Sequence, residues 1–206
     1  MARWDAARVA ETFNVSRESL AGLQAYHDLL VTWQARINLV APSTLDDIWG
    51  RHIADSLQLA GLLPRRDNVI ADLGSGAGFP GLALAIAAGQ EAHLYESNGK
   101  KAAFLREAAR LSGAKASVHS LRIESARGAT PVDAVTARAL APLGLLLSYS
   151  EPWLSKGARG LFLKGQDVEA ELNEATKSWN LAYKTHRSLT DSQGVILEIT
   201  SAIRRV

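Results

Sequence analysis

The chain has 206 residues, 47% of them hydrophobic, and a net charge of +2. That suits one globular domain with an appendage, and the slight excess of basic residues fits an RNA partner. Cysteine is absent, which excludes disulfides, thiolate metal sites and a cysteine nucleophile.

The predicted elements begin with a short helix over Asp5–Phe13. Ser16 then serves as N-cap of a longer helix reaching about Arg36, with Leu20, Leu23, Leu30, Trp33 and Ile37 near helical spacing. Pro42 breaks the chain, and Ser43 with Asp46 three residues on matches a capping box. A helix through Ala60 follows, with Leu45, Ile48, Trp49 and Leu57 on one side. Pro64 ends it, and Arg65-Arg66-Asp67 forms a link. The expected organisation is a helical N-terminal extension over 1–66 and one compact unit over 67–206.

From Val69 the texture changes to alternating strand and helix. Strands are expected at 69–73, 92–96, 116–119, 133–137, 159–164, 182–188 and 194–200, and helices at 80–88, 99–111, 142–150 and 168–179. Such alternation predicts an α/β fold, a doubly wound parallel sheet with helices on both faces. The last two strands are joined by turn residues alone, Thr190-Asp191-Ser192-Gln193-Gly194, so they pair antiparallel. A seven-stranded, mostly parallel sheet ending this way points to the class I methyltransferase architecture, Rossmann-like, more than to a dinucleotide-binding one.

The stretch Val69–Leu82, VIADLGSGAGFPGL, carries the chemistry. A buried strand ends at Asp72; Gly74, Gly76, Gly78 and Gly81 crowd one turn, and Pro80 sits at a helix start. Glycines let a ligand approach bare backbone, and the helix N–H groups favour an anionic group. Gly76, Gly78 and Gly81 also satisfy GxGxxG, with Glu96 about 20 residues on, as a dinucleotide fold would have. Three features favour S-adenosylmethionine over a dinucleotide. Asp72 is an anion suited to an amino group or sulfonium and not to a pyrophosphate. Too little chain follows for a hydride-acceptor domain. The terminal antiparallel pair agrees. Glu96, at the second strand's end, can accept both ribose hydroxyls. Ile123 and Glu124, after the third strand, can line the adenine, although Glu124 also reads as a surface acid.

On the acceptor side, the fourth strand leads into Thr136-Ala137-Arg138-Ala139-Leu140-Ala141-Pro142. The Asp/Asn-Pro-Pro-aromatic box of amino-group methyltransferases is absent there. Cysteine-dependent C5 methylation is excluded. A nucleophile with a free lone pair, such as guanine N7, remains; for it, catalysis is positioning and electrostatic control. Arg138 can hold a phosphate or guanine O6 and N7, or be ion-paired within the protein. Arg51, His52, Lys100, Lys101, Arg138 and Lys164 recur around the expected mouth of the sheet. His52, Asp55 and Trp49 can share a helix face, as a structural or a catalytic pair. No metal-ligand cluster is visible, and His27, His93, His119 and His186 read as structural.

Several segments together resemble one family: INLVAPSTLDDIWGRHIADSL (Ile37–Leu57), DLGSGAGFPG (Asp72–Gly81), ESNGKKAAFLRE (Glu96–Glu107), ARAL (Ala137–Leu140) and LKG (Leu163–Gly165). The chain resembles the RsmG (GidB) family of bacterial 16S rRNA guanine-N7 methyltransferases, from about Trp33 to Ile199. The glycine loop with Phe79-Pro80, joined to the upstream RH…DSL segment, is the specific signal. The resemblance implies methyl transfer from S-adenosylmethionine to guanine-527 in the 530 loop of 16S rRNA. It places cofactor contacts on Gly74, Phe79, Ile123, Glu124 and Arg138, with Asp72, Gly76, Gly78 and Glu96 matching the general methyltransferase pattern. It places RNA or phosphate contacts on His52, Arg138 and Lys164, and requires no general base. Ser125 stands where many members have a second acid, and Glu96 where many have Asp. The rival readings are a methyltransferase acting on a different RNA, a small molecule or a protein, and an RNA-binding module with a remnant site. No apolar run approaches the ~20 residues that span a bilayer, and the N-terminus lacks a signal-peptide apolar region. The expectation is a soluble cytoplasmic monomer that meets the small ribosomal subunit or its assembly intermediate.

Overall fold

The computed structural model describes residues 3–63, 68–126 and 130–205. Seven strands form one sheet in the order β3-β2-β1-β4-β5-β7-β6. They are β1 (Val69–Leu73), β2 (Glu91–Tyr95), β3 (Ala116–His119), β4 (Ala134–Arg138), β5 (Arg159–Lys164), β6 (Trp179–Arg187) and β7 (Val195–Arg204). β1 pairs parallel with β2 and β4, so the chain reverses its winding beside β1. β7 runs antiparallel between β5 and β6, and the short 188–194 turn accounts for its pairing with β6. The sequence-predicted strands all form. β6 begins earlier than expected, at Trp179, because the helix before it stops at Ala175.

Helices α4 (Gly81–Ala88) and α5 (Gly99–Ser112) cover one face; α6 (Leu143–Leu154) and α7 (Val168–Ala175) cover the other. α6 runs past its expected end and carries Pro152 in its last turn. Alternation along β1 sorts side chains between two cores: Ile70 belongs with Leu82 and Phe104, whereas Ala71 and Leu73 belong with Leu146 and Trp153.

The N-terminal helices are α1 (Ala6–Phe13), capped by Asp5, and α2 (Arg17–Gln34), capped by Ser16. Leu23, Tyr26 and Leu30 of α2 are fully buried in the same cluster as Ile70 and Phe104; each such side chain contributes about 2 kcal/mol by leaving water. The helical segment thus shares the core beneath α4 and α5. Pro64 and the Arg65–Asp67 link, where the boundary was expected, lie outside the described residues. No helix among the described residues is long and apolar enough to cross a membrane.

The segment expected as one helix from Ser43 to Ala60 is different. A 3-10 turn spans Pro42–Asp47, a π-helix Trp49–Ala54, one α turn α3 Asp55–Leu57, and a second 3-10 turn Gln58–Leu62. Ala41, not Ser43, precedes the first turn, and no side chain caps it, so the capping box is not made. Thr44 Oγ1 donates to the Ala41 carbonyl and Asp47 accepts from the Gly50 N–H, which shortens the turns. The Asp55 N–H reaches the Gly50 carbonyl five residues back. This wider turn rotates Trp49 away from His52: Trp49 stacks on His27 at 5.5 Å, and His52 on Phe79 at 5.0 Å.

Candidate functional site

The strand β1 delivers Asp72 to the carboxyl edge of the sheet, fully buried. Its Oδ1 accepts from Thr136 Oγ1 at 2.8 Å, and Oδ2 has no hydrogen-bond partner among the described residues. Burial pushes the carboxyl up to about 6, only partly countered by the Ser75 and Thr136 hydroxyls. A buried acid with one carboxylate oxygen still open behind the loop suits a cationic ligand group. Gly81 is why α4 can lie this close: a Cβ there would stand 2.5 Å from Asp72 Cβ.

The loop itself turns through positive φ at Gly74, Gly76 and Gly78, and the Phe79–Pro80 peptide is cis. A Cβ on Gly74 would strike Leu140, and one on Gly78 would strike Leu82 and the Tyr26 hydroxyl. Gly76 differs: a Cβ there would meet only the Gly74 carbonyl, at 3.7 Å, so its backbone faces open space. From behind, the loop is braced by the Tyr26 hydroxyl, which donates to the Ala77 carbonyl. Glu96, buried at the end of β2, accepts the Gly76 N–H at 2.9 Å and the Asn98 N–H at 2.7 Å. As a carboxylate it keeps lone pairs for further donors. Ile123 and Glu124 lie on a 3-10 turn after β3; Glu124 is exposed and accepts from the Tyr149 hydroxyl.

In front of the loop lies a cleft of about 1100 Å³, lined by Gly74, Gly76 and Phe79, by His52, Arg138 and Lys164, and by the 188–194 turn. Arg138, at the end of β4, donates to His52 Nδ1 and to the Arg51 carbonyl, both at 2.8 Å, and pairs with Asp55 at 3.4 Å. Its guanidinium also lies 5.2 Å from the Phe79 ring centre. Since arginine only donates, His52 Nδ1 carries the lone pair, and Nε2–H donates to Thr44 Oγ1 at 2.8 Å. Burial, then Arg138 and Arg51, push the His52 pKa down to about 3. A neutral ring with both nitrogens engaged neither donates nor collects a proton in the cleft at neutral pH, so His52 positions Arg138. Asp55 is raised by burial, against the pull of Arg138 and the Thr190 hydroxyl.

Lys164 Nζ donates to Glu171 at 2.7 Å and to the Ala141 carbonyl at 2.9 Å, tying β5 to α7 and to the approach to α6. Of the cations expected around the mouth, Arg51, His52, Lys101, Arg138 and Lys164 come together at the cleft, with the two arginines and Lys164 paired within the protein, whereas Lys100 does not line it. Lys101, beside the Asn98 cap of α5, lines the cleft too; among the described residues it is the one cationic side chain there without an ion pair. His93 and His119 bond each other through ring nitrogens, and His186 bonds Glu198.

Sequence reasoning missed Thr136 under Asp72, Tyr26 behind the loop, and Thr190, Asp191 and Gln58 around the cleft. Thr190 Oγ1 donates to Asp55 at 2.8 Å across 135 positions of chain, and no local pattern marks such a partner.

Comparison with known proteins agrees with this architecture. "Ribosomal RNA small subunit methyltransferase G" of Nitrobacter winogradskyi is 55% identical over 197 residues, covering 93% of this chain and 71% of that protein. The protein of the same name from Rhodospirillum rubrum is 52% identical, covering 90% and 92%. Among solved structures, a mutant of MtNAS in complex with S-adenosylmethionine superposes with a TM-score of 0.60 at 14% identity, over 96% of this chain and 84% of that one; this likeness bears on the fold. The profile of GidB, rRNA small subunit methyltransferase G, matches residues 19–200. The chain belongs to the GidB family of rRNA small subunit methyltransferases.

Proposed function

We propose that this protein methylates 16S rRNA at N7 of a guanine, guanine-527 of the 530 loop, with S-adenosylmethionine as donor, as a cytoplasmic monomer. The observation that carries the reading is the bare main chain at Gly76, open toward the cleft and backed by the buried carboxylates of Asp72 and Glu96. The residues fit that cofactor. The backbone of Gly74, Gly76, Gly78 and Phe79 would hold its methionine end, with the unpartnered Asp72 Oδ2 answering its positive charge. Glu96 would take the ribose hydroxyls, Ile123 and Glu124 would flank the adenine, and Arg138 would close the cleft side. When bound, the cofactor supplies an electrophilic methyl group.

The protein's own residues orient and neutralise. Guanine N7 attacks with a lone pair it already has, so no base has to remove a proton first, consistent with a His52 held neutral by burial. Arg138 and Lys164, fixed by their carboxylate partners, present a rigid polar wall that positions the base or its phosphate. Lys101 adds a cation able to meet phosphate.

The test is methylation of 16S rRNA, naked and within small subunits, with labelled cofactor and nucleoside analysis. The expected product is 7-methylguanosine. Label on an exocyclic amine or on a pyrimidine C5 would overturn the reading. A small-molecule substrate is the second reading, favoured by the internal pairing of Arg51, Arg138 and Lys164; salt-independent binding of rRNA would support it.

A further inference from the structure

We propose that Asp191 is a reversible clamp on Arg51: an rRNA phosphate displaces the Asp191 carboxylate when substrate enters the cleft, and Asp191 thereby sets the strength of RNA binding. The inference rests on the RNA methyltransferase reading above.

Arg51 Nη1 and Asp191 Oδ2 meet at 2.8 Å although 140 positions separate them. One stands on the π-helix, the other on the turn between β6 and β7, and both line the cleft. The three ion pairs that line the cleft among the described residues are not equivalent. Arg138–Asp55 has side chains 20% and 17% exposed and is bound further to His52, Thr190 and Gln58. Lys164–Glu171, 10% and 26% exposed, also holds the Leu143 N–H and the Ala141 carbonyl. Opening either would strand buried polar groups. Arg51–Asp191 is 49% and 36% exposed. Its partners can return to water on parting, so the exchange costs little.

The rest of the turn does not depend on the pair. Gln58 accepts the Leu189 N–H and donates to Ser188, and Thr190 donates to Asp55. Asp191 Oδ1 accepts the Gln193 N–H at 2.9 Å, a bond that asparagine would keep. Arg51 can therefore swap a carboxylate for a phosphate without moving the loop, and the planar guanidinium fits either oxyanion. Such a clamp holds Arg51 at the cleft in free protein and sets a competing anion against the incoming phosphate.

The experiment compares the full-length wild type with Asp191→Asn, Arg51→Gln and the double variant. Steady-state methylation of 16S rRNA, naked and in small subunits, is measured across a salt series. Thermal melting and cofactor calorimetry check that fold and cofactor site are intact. Asp191→Asn is expected to lower KM for RNA about two- to fivefold with kcat unchanged. Arg51→Gln is expected to raise KM and flatten the dependence of log KM on log salt by about 0.7–0.9. In the Arg51→Gln background, Asp191→Asn is expected to have no effect. If Asp191→Asn lowers KM equally in both backgrounds, it acts as a plain negative charge and the clamp is refuted. An unchanged KM in the single variant also refutes it, with the RNA reading intact. If the wild type binds neither RNA form in a salt-dependent way, the RNA reading itself fails and the clamp with it.

Discussion

His52 offers a test of the cleft's electrostatics that needs no substrate. Its pKa falls from an ordinary 6.5 to about 3, chiefly through burial, with Arg138 and Arg51 adding to it. The stability tied to the neutral ring is fully present above pH 6.5 and is lost progressively as pH falls toward 3, because over that range the unfolded chain binds a proton that the folded one refuses. From pH 7 to pH 5 the loss is about 2 kcal/mol. Asp72 works the other way. Its folded pKa is raised from 3.8 to about 6, so its contribution is present below 3.8 and is lost as pH rises through 6. Over the same interval it adds about 1 kcal/mol of stability as pH falls, leaving a shallow wild-type profile. His52→Gln separates the two, since the amide keeps an acceptor toward Arg138 and a donor toward Thr44 but does not titrate. Urea unfolding at pH 7 and pH 5 should show the wild type losing about 2 kcal/mol more than His52→Gln across that interval. Equal losses in the two proteins would refute the picture of a neutral ring locked under the arginine.

Gly76→Val should cut cofactor affinity at least about a hundredfold by calorimetry, since the side chain fills the open space before the loop and opposes a φ of +57°. Asp72→Asn should unfold at higher urea than wild type at pH 8 yet bind cofactor more weakly. The rise of the Asp72 pKa from 3.8 to about 6 makes the ionised carboxylate cost about 3 kcal/mol in the folded state, and asparagine still accepts from Thr136. Glu96→Gln turns an amide donor toward either the Gly76 or the Asn98 N–H; urea unfolding should register a loss of about 1–3 kcal/mol, with weaker cofactor binding. Wild-type stability and affinity in that variant would mean that Glu96 does not brace the loop.

The unit β1–glycine loop–α4 was legible from residue order because everything that shapes it is local: a run of apolar residues, glycines where φ turns positive, and a proline at the helix start. Alternating strands and helices announced the sheet, and the short turn after β6 announced its antiparallel edge, since so few residues allow no crossover. The family motifs led to Arg138, His52 and Lys164, but not to their partners. The segment 43–60 misled, because its helical spacing is real while its π turn answers to Asp47, Thr44 and the distant Arg138.

Residue order alone carried the alternation of strands and helices from Val69 onward, the open glycine at position 76 and the two acids that back it. What the cleft's charges do follows from packing in three dimensions. That packing brought Asp55 to Arg138, Glu171 to Lys164 and Asp191 to Arg51. An ion pair between residues far apart in the chain arises from how strands and helices pack, and neighbouring residues carry no trace of it. That pairing offsets most of an apparent basic patch, and of its pairs among the described residues the Arg51–Asp191 clamp is the most exposed.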